Sequence, residues 1–184
     1  MNVQRDELAA AMQQWGFLES PAPPAALHWI ETFLKAFGER LTSVDDARSA
    51  VADLRAEACL IPALELERLR NREVLFFLDT VSQYVDSQAE LRGLPLAHDL
   101  AEMAQEFGIS APDAQYAVRM ATTGKIEGPP LELLFPLLGH DRILIRIGAV
   151  NSHILHGRGL EPIRFGPGGQ PFEPLHGKKP EDKA

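Results

Sequence analysis

The chain has a single cysteine, Cys59, in 184 residues, so it has no internal disulfide and no multi-cysteine zinc site, which fits a reducing compartment. Long apolar runs are also missing. The stretch at residues 74–78 is among the longest, whereas a membrane-spanning helix needs about 20 apolar residues. Residues 1–16 lack the basic start and apolar core of a secretory leader. The expectation is a cytoplasmic protein that does not enter a membrane.

Basic charge is scarce as well. Lys and Arg number 18 against 26 Asp and Glu, a net charge of -8. That sign is wrong for generic phosphate binding, which displaces counterions with Lys and Arg. Residues 157–184 hold five basic and four acidic residues, which leaves 13 against 22 in residues 1–156. The acidity therefore belongs to the folded body, and any contact with nucleic acid has to be local.

Strand-like alternation is nearly absent before residue 157. Apolar residues instead recur at three-and-four spacing, the sign of helices that bury one face. An all-helical protein is predicted. The clearest helix spans residues 25–41, where Leu27, Ile30, Phe33, Leu34, Phe37 and Leu41 form one stripe and Glu31, Lys35 and Glu39 lie off it. A preceding helix over 5–15 should end at Gly16, and Ser43 with Asp46 resembles a capping box for the next one. Further helices are expected over 63–70, 72–88, 95–107, 111–122, 130–138 and 141–155, with Ser110 as a cap, Pro112 in a first turn, and stops at Gly108 and Gly124. The stretch 91–96 with Gly93 suggests a division into an N-terminal lobe, 1–90, and a C-terminal lobe, 91–156. Residues 157–184 are rich in Gly and Pro and poor in apolar groups, which predicts a disordered tail.

Most groups that might carry chemistry read as structural. His153 and His156 lie three apart, but no further ligand completes a metal set, so they read as exposed histidines at a helix end. Cys59 lies among apolar residues, where a thiol is inert. Asp45 with Asp46 and Glu65 with Glu67 read as solvated faces. No metal and no cofactor is implied.

The segment 115–139, QYAVRMATTGKIEGPPLELLFPLLG, is punctuated differently. A helix presents Arg119, stops at Thr122, Thr123 and Gly124, crosses Lys125 to Gly128, and restarts behind Pro129 and Pro130. Such a stiff corner suits two roles. One is the gripping of unstacked bases, which are read by edge hydrogen bonds and stacking. The other is a structural corner in which Arg119 pairs with a neighbouring acid.

The run VRMATTGKIEGPPLELLFPLLGHDRILIRI resembles the closing helices of bacterial-type glutamyl-tRNA synthetases, in which an arginine, a Leu-Thr-Gly, a hydroxyl-proline turn and a late Leu-Gly recur in that order. ALHWIETFLKAFGERLTSVDDA and LAAAMQQWGF are similar to earlier helices of the same anticodon-binding half. The likeness covers roughly residues 8 to 155, with 60 to 110 carried by helix order alone. It implies a multi-helix anticodon-binding bundle in which Arg40 and Arg119 contact anticodon bases. Gly128, Pro129 and Leu131 would form the turn against which bases lodge, Thr123 would lie beside them, and Lys125 would meet phosphate. Thr122 stands where the family has leucine, Gly128 where it has Ser or Thr, and Glu132 where an aromatic ring is frequent. The H-I-G-H and K-M-S-K-S type signatures of class I catalytic domains are absent from the sequence. The resemblance thus implies a free-standing domain that binds tRNA, tRNA-Glu in the first instance. It would have no aminoacylation activity of its own, and would serve either as a tRNA-binding accessory protein or as a part that works with a separate catalytic chain. The competing reading is a protein-interaction module that kept the helical fold and lost RNA binding.

Overall fold

The structure, a computed structural model, describes residues 3–156; the predicted tail, 157–184, lies outside the described residues. Among the described residues the chain forms nine α-helices and no strand: α1 (Arg5–Gln14), α2 (Pro24–Phe37), α3 (Val44–Arg55), α4 (Ala63–Leu69), α5 (Arg72–Ser87), α6 (Leu96–Gln105), α7 (Ala111–Thr123), α8 (Leu131–Leu138) and α9 (His140–His156). The all-helical expectation holds. None of these helices is long and apolar enough to cross a membrane.

The helix ends follow local chemistry. The Ser43 hydroxyl accepts from the Asp46 amide while the Asp46 carboxylate accepts from the Ser43 amide, which closes the capping box of α3. Ser110 caps α7 through its hydroxyl, which accepts from the Asp113 amide. Pro95 and Pro130 stand at the capping positions ahead of α6 and α8 rather than inside the first turn. There a missing amide proton costs nothing.

One boundary differs in a way that matters. The stripe predicts helix through Leu41, but α2 stops at Phe37 and tightens into a 3-10 turn over Gly38–Arg40. The chain leaves that turn extended at Leu41, which is buried, while Arg40 is left on the surface. The apolar period ran on past the helix because Leu41 joins the core from the connection that follows it.

A continuous apolar core centres on Phe33, Phe77 and Phe135, all fully buried, with α5 packed against α9. It draws on residues from both sides of position 91. Helices α2 and α8 pack together, and the Trp29 indole donates to the Leu137 carbonyl at 2.9 Å. A residue in the first half of α2 thus meets the end of α8.

Candidate nucleic-acid interface

The corner after α7 is built from its backbone outward. Gly124 closes the helix with a left-handed φ of 68°. A Cβ there would stand 2.1 Å from the Leu60 carbonyl oxygen, so the strand of chain before α4 can pass directly over the corner only because this residue is glycine. Thr122 is buried and donates to the Val118 carbonyl at 2.7 Å. Thr123 donates to the Arg119 carbonyl at 2.7 Å and accepts from the Lys125 amide at 3.2 Å. Both hydroxyls therefore secure the end of α7.

Arg119 points back across the corner. Its Nη1 donates to the Pro129 carbonyl at 2.7 Å, and a Cβ on Gly128 would lie 3.2 Å from that nitrogen. The other guanidinium donors of Arg119 take no partner among the described residues. Arg119 is half-buried, and burial lowers its pKa; the Glu132 carboxylate opposes that shift, and the positive charge of Arg40 adds to it. Like charges fail to matter to each other unless they are near. Of the charges acting on Arg119, that of Glu132 outranks that of Arg40, which is 79 positions away in sequence. Arg40 is exposed and makes no hydrogen bond or ion pair among the described residues.

The remaining predicted residues fall into two groups. Gly128 and Pro129 lie directly under the Arg119 guanidinium, and the Leu131 side chain is buried in the core at the start of α8. Thr123 faces its own helix end. Lys125 lies to the other side of the corner, with its Nζ 2.7 Å from the Asp53 carboxylate of α3. Both of those side chains are more than half exposed, so the pair is weak, about 0–1 kcal/mol, and a phosphate competes with it readily.

Several features escaped the sequence. The Glu132 carboxylate accepts from the Ala97 amide at 3.1 Å in the first turn of α6. It thus caps a neighbouring helix from outside. Arg146 of α9 is buried, with Nη1 2.6 Å from the Thr122 carbonyl and Nη2 2.7 and 2.6 Å from the carbonyls of Asp53 and Ala56. Arg142, one turn earlier, donates to the carbonyls of Arg55 and Leu138 at 3.0 and 3.2 Å. The visible signal was two arginines four apart, each followed by isoleucine, on an otherwise apolar helix.

Two expectations are corrected. His153 is buried, not exposed, because the stripe of α9 carries it into the core after Val150. Glu65 is buried too: its carboxylate accepts from the Tyr116 hydroxyl and pairs with Arg68 at 3.1 Å, so partners from α7 and α4 make its burial tolerable. Glu67 pairs with Arg70 on the exposed surface. Among the described residues no three His, Cys, Asp or Glu side chains gather as metal ligands. Burial raises the pKa of Cys59, whose sulfur lies 3.5 Å from the Ala121 carbonyl.

Among the described residues the molecule is thus all-helical, with Arg119 fixed across the corner between α7 and α8. The family model of the anticodon binding domain matches residues 7–150, and the chain belongs to that family. A comparison with curated proteins finds no match.

Proposed function

We propose that this domain binds tRNA at the Arg40 and Arg119 corner, with tRNA-Glu the first candidate. Aminoacylation would be left to a class I catalytic domain outside these residues. The observation that carries the reading is an Arg119 guanidinium fixed on one side, with its other donors taking no hydrogen-bond partner among the described residues. Arg119 is fixed by a backbone carbonyl rather than consumed by a carboxylate, and Arg40 stands nearby without a protein partner among the described residues. The Glu132 carboxylate answers part of the Arg119 charge, and an anionic or acceptor-rich ligand can meet what is left. A guanidinium oriented on one edge presents its free edge to base acceptors with little ordering left to be done. Lys125 serves as the phosphate contact, and Gly128 and Pro129 form the floor, while Leu131, buried in the core, supports the turn without meeting a base.

The test is binding at low salt to total tRNA and to random RNA of equal length. Preference for tRNA is expected. Arg119→Ala should weaken some tRNAs more than others, because base contacts specify whereas phosphate contacts only position. Equal affinity for both RNAs sinks the proposal.

A second reading, a protein-interaction module, draws on Leu60, Leu64 and Ile126, which are 94%, 67% and 58% exposed. Leu60 touches the corner through its carbonyl, and Ile126 lies two residues beyond Gly124. A protein partner that is retained after ribonuclease treatment of an extract favours this reading; a partner lost on treatment favours RNA.

A further inference from the structure

We infer that Arg146 is the positioning residue of the corner, acting on a bound RNA only through the end of α7. This rests on the tRNA-binding reading above. Arg146 is 3% exposed, and three backbone carbonyls within 2.7 Å receive its guanidinium, one from the end of α7 and two from the end of α3. No carboxylate is among these hydrogen-bond partners. The countercharge is the negative end of two helix dipoles, where unpaired carbonyls gather. Burial lowers its pKa, as expected for a cation answered mainly by dipoles.

A buried cation is a poor choice for stability alone, since well-packed apolar groups frequently serve as well or better. What the planar fork supplies is a fixed distance between two elements, which one lysine ammonium cannot span in the same way. Here the two elements are α3 and α7, and everything at the corner is referred to them. The Thr122 carbonyl held by Arg146 is followed by Gly124 against Leu60 and by Lys125, whose partner Asp53 also gives its carbonyl to Arg146. The segment from Thr122 to Pro129 is therefore pinned at its start by Arg146 and at its finish by Arg119. Arg142 extends the joint by tying the end of α3 to the end of α8. Loosening the first pin lets the corner drift, and Arg119 loses its fixed relation to Arg40.

The experiment uses the full chain and the variants Arg146→Lys, Arg146→Met, Arg119→Ala and Arg119→Ala with Arg146→Lys, each checked for intact helical content. Affinity for total tRNA and for random RNA of equal length is read beside amide exchange at Gly124 and Lys125. Arg146→Lys is expected to weaken tRNA binding about tenfold, the loss of one or two charged hydrogen bonds. Exchange at the two amides should rise while amides in α1 and α6 stay as they were. In the Arg119→Ala background the lysine change should add little, since both act through one corner. Losses that multiply in the double variant overturn the inference. So does unchanged exchange at Gly124 and Lys125, in Arg146→Lys or, where that variant behaves as wild type, in Arg146→Met. Wild-type chain that binds both RNAs equally overturns the tRNA reading alone, and the exchange measurement then decides whether Arg146 positions the corner.

Discussion

Gly128 and Arg119 are complementary at atomic scale: the Cβ that Gly128 lacks would stand 3.2 Å from the guanidinium nitrogen that bonds Pro129. That separation is tighter than ordinary carbon to nitrogen contact, so any side chain moves the guanidinium by a few tenths of an ångström. Gly128→Ala should weaken binding to tRNA about threefold, roughly 0.6 kcal/mol, with the fold unchanged. Gly128→Ser tests the residue type that the glutamyl-tRNA synthetase likeness places here. An Nε–H resonance of Arg119 that shifts in both variants, together with the weaker binding, is the expected outcome; unaltered affinity would show that the guanidinium is not placed by this contact.

Gly124 and Gly16 separate two costs that are usually confounded. Both have positive φ, 68° and 75°, but a Cβ at Gly16 meets nothing within 4 Å, whereas at Gly124 it runs into the Leu60 carbonyl at 2.1 Å. Gly16→Ala carries only the left-handed backbone penalty, about 1–2 kcal/mol. Gly124→Ala adds a clash with backbone that has no rotamer to retreat into, and the loss should exceed 3 kcal/mol. Urea unfolding of the two variants measures the difference; equal losses would mean that the segment over the corner moves freely.

The fold was legible in the sequence because helix periodicity and end signals are local. Ser43, Ser110, Gly108 and Gly124 each act within a few residues, and each stands where the pattern placed it. Leu41 shows the limit of periodicity, since a buried residue after a helix looks the same as one inside it. The site was legible only in part. Arg119, Gly128 and Pro129 meet because they are close in sequence, but the packing of α2, which leads into Arg40, against α8 is stated by no local pattern. The roles of Arg146 and Glu132 are hidden for a related reason. Their partners are backbone groups 90 and 35 residues away, and a backbone carbonyl or amide has no letter in the sequence.

Asp46 links stability to acid. Its carboxylate accepts from the Thr42 hydroxyl and from the amides of Thr42 and Ser43, and these bonds, the Thr42 hydroxyl first, hold its pKa below the ordinary carboxylate value. A carboxylate with a depressed folded pKa contributes stability that is present above the unfolded value of 3.8 and is lost as pH falls through the folded value. Thermal unfolding followed from pH 6 downward should show the wild type losing stability in that window, and Asp46→Asn should flatten that part of the curve. A profile of the same slope in the variant would remove Asp46 from the account.

Glu132 sets two demands against each other. Its carboxylate caps α6 through the Ala97 amide and lies in the field of Arg119, so it steadies a helix start while cancelling part of the charge that would meet RNA. Glu132→Gln keeps an oxygen acceptor for Ala97 and removes the charge. The helix should lose about 0.3–1 kcal/mol, the usual worth of an anion at a helix start. Binding to tRNA should strengthen, and its fall with added salt should steepen, because one more cationic group is left for the ligand to neutralise. A titration at several salt concentrations reads both effects at once. Weaker binding with the fold intact would mean that Glu132 accepts a hydrogen bond from the RNA itself, and the cationic corner would then have to be redrawn around a carboxylate.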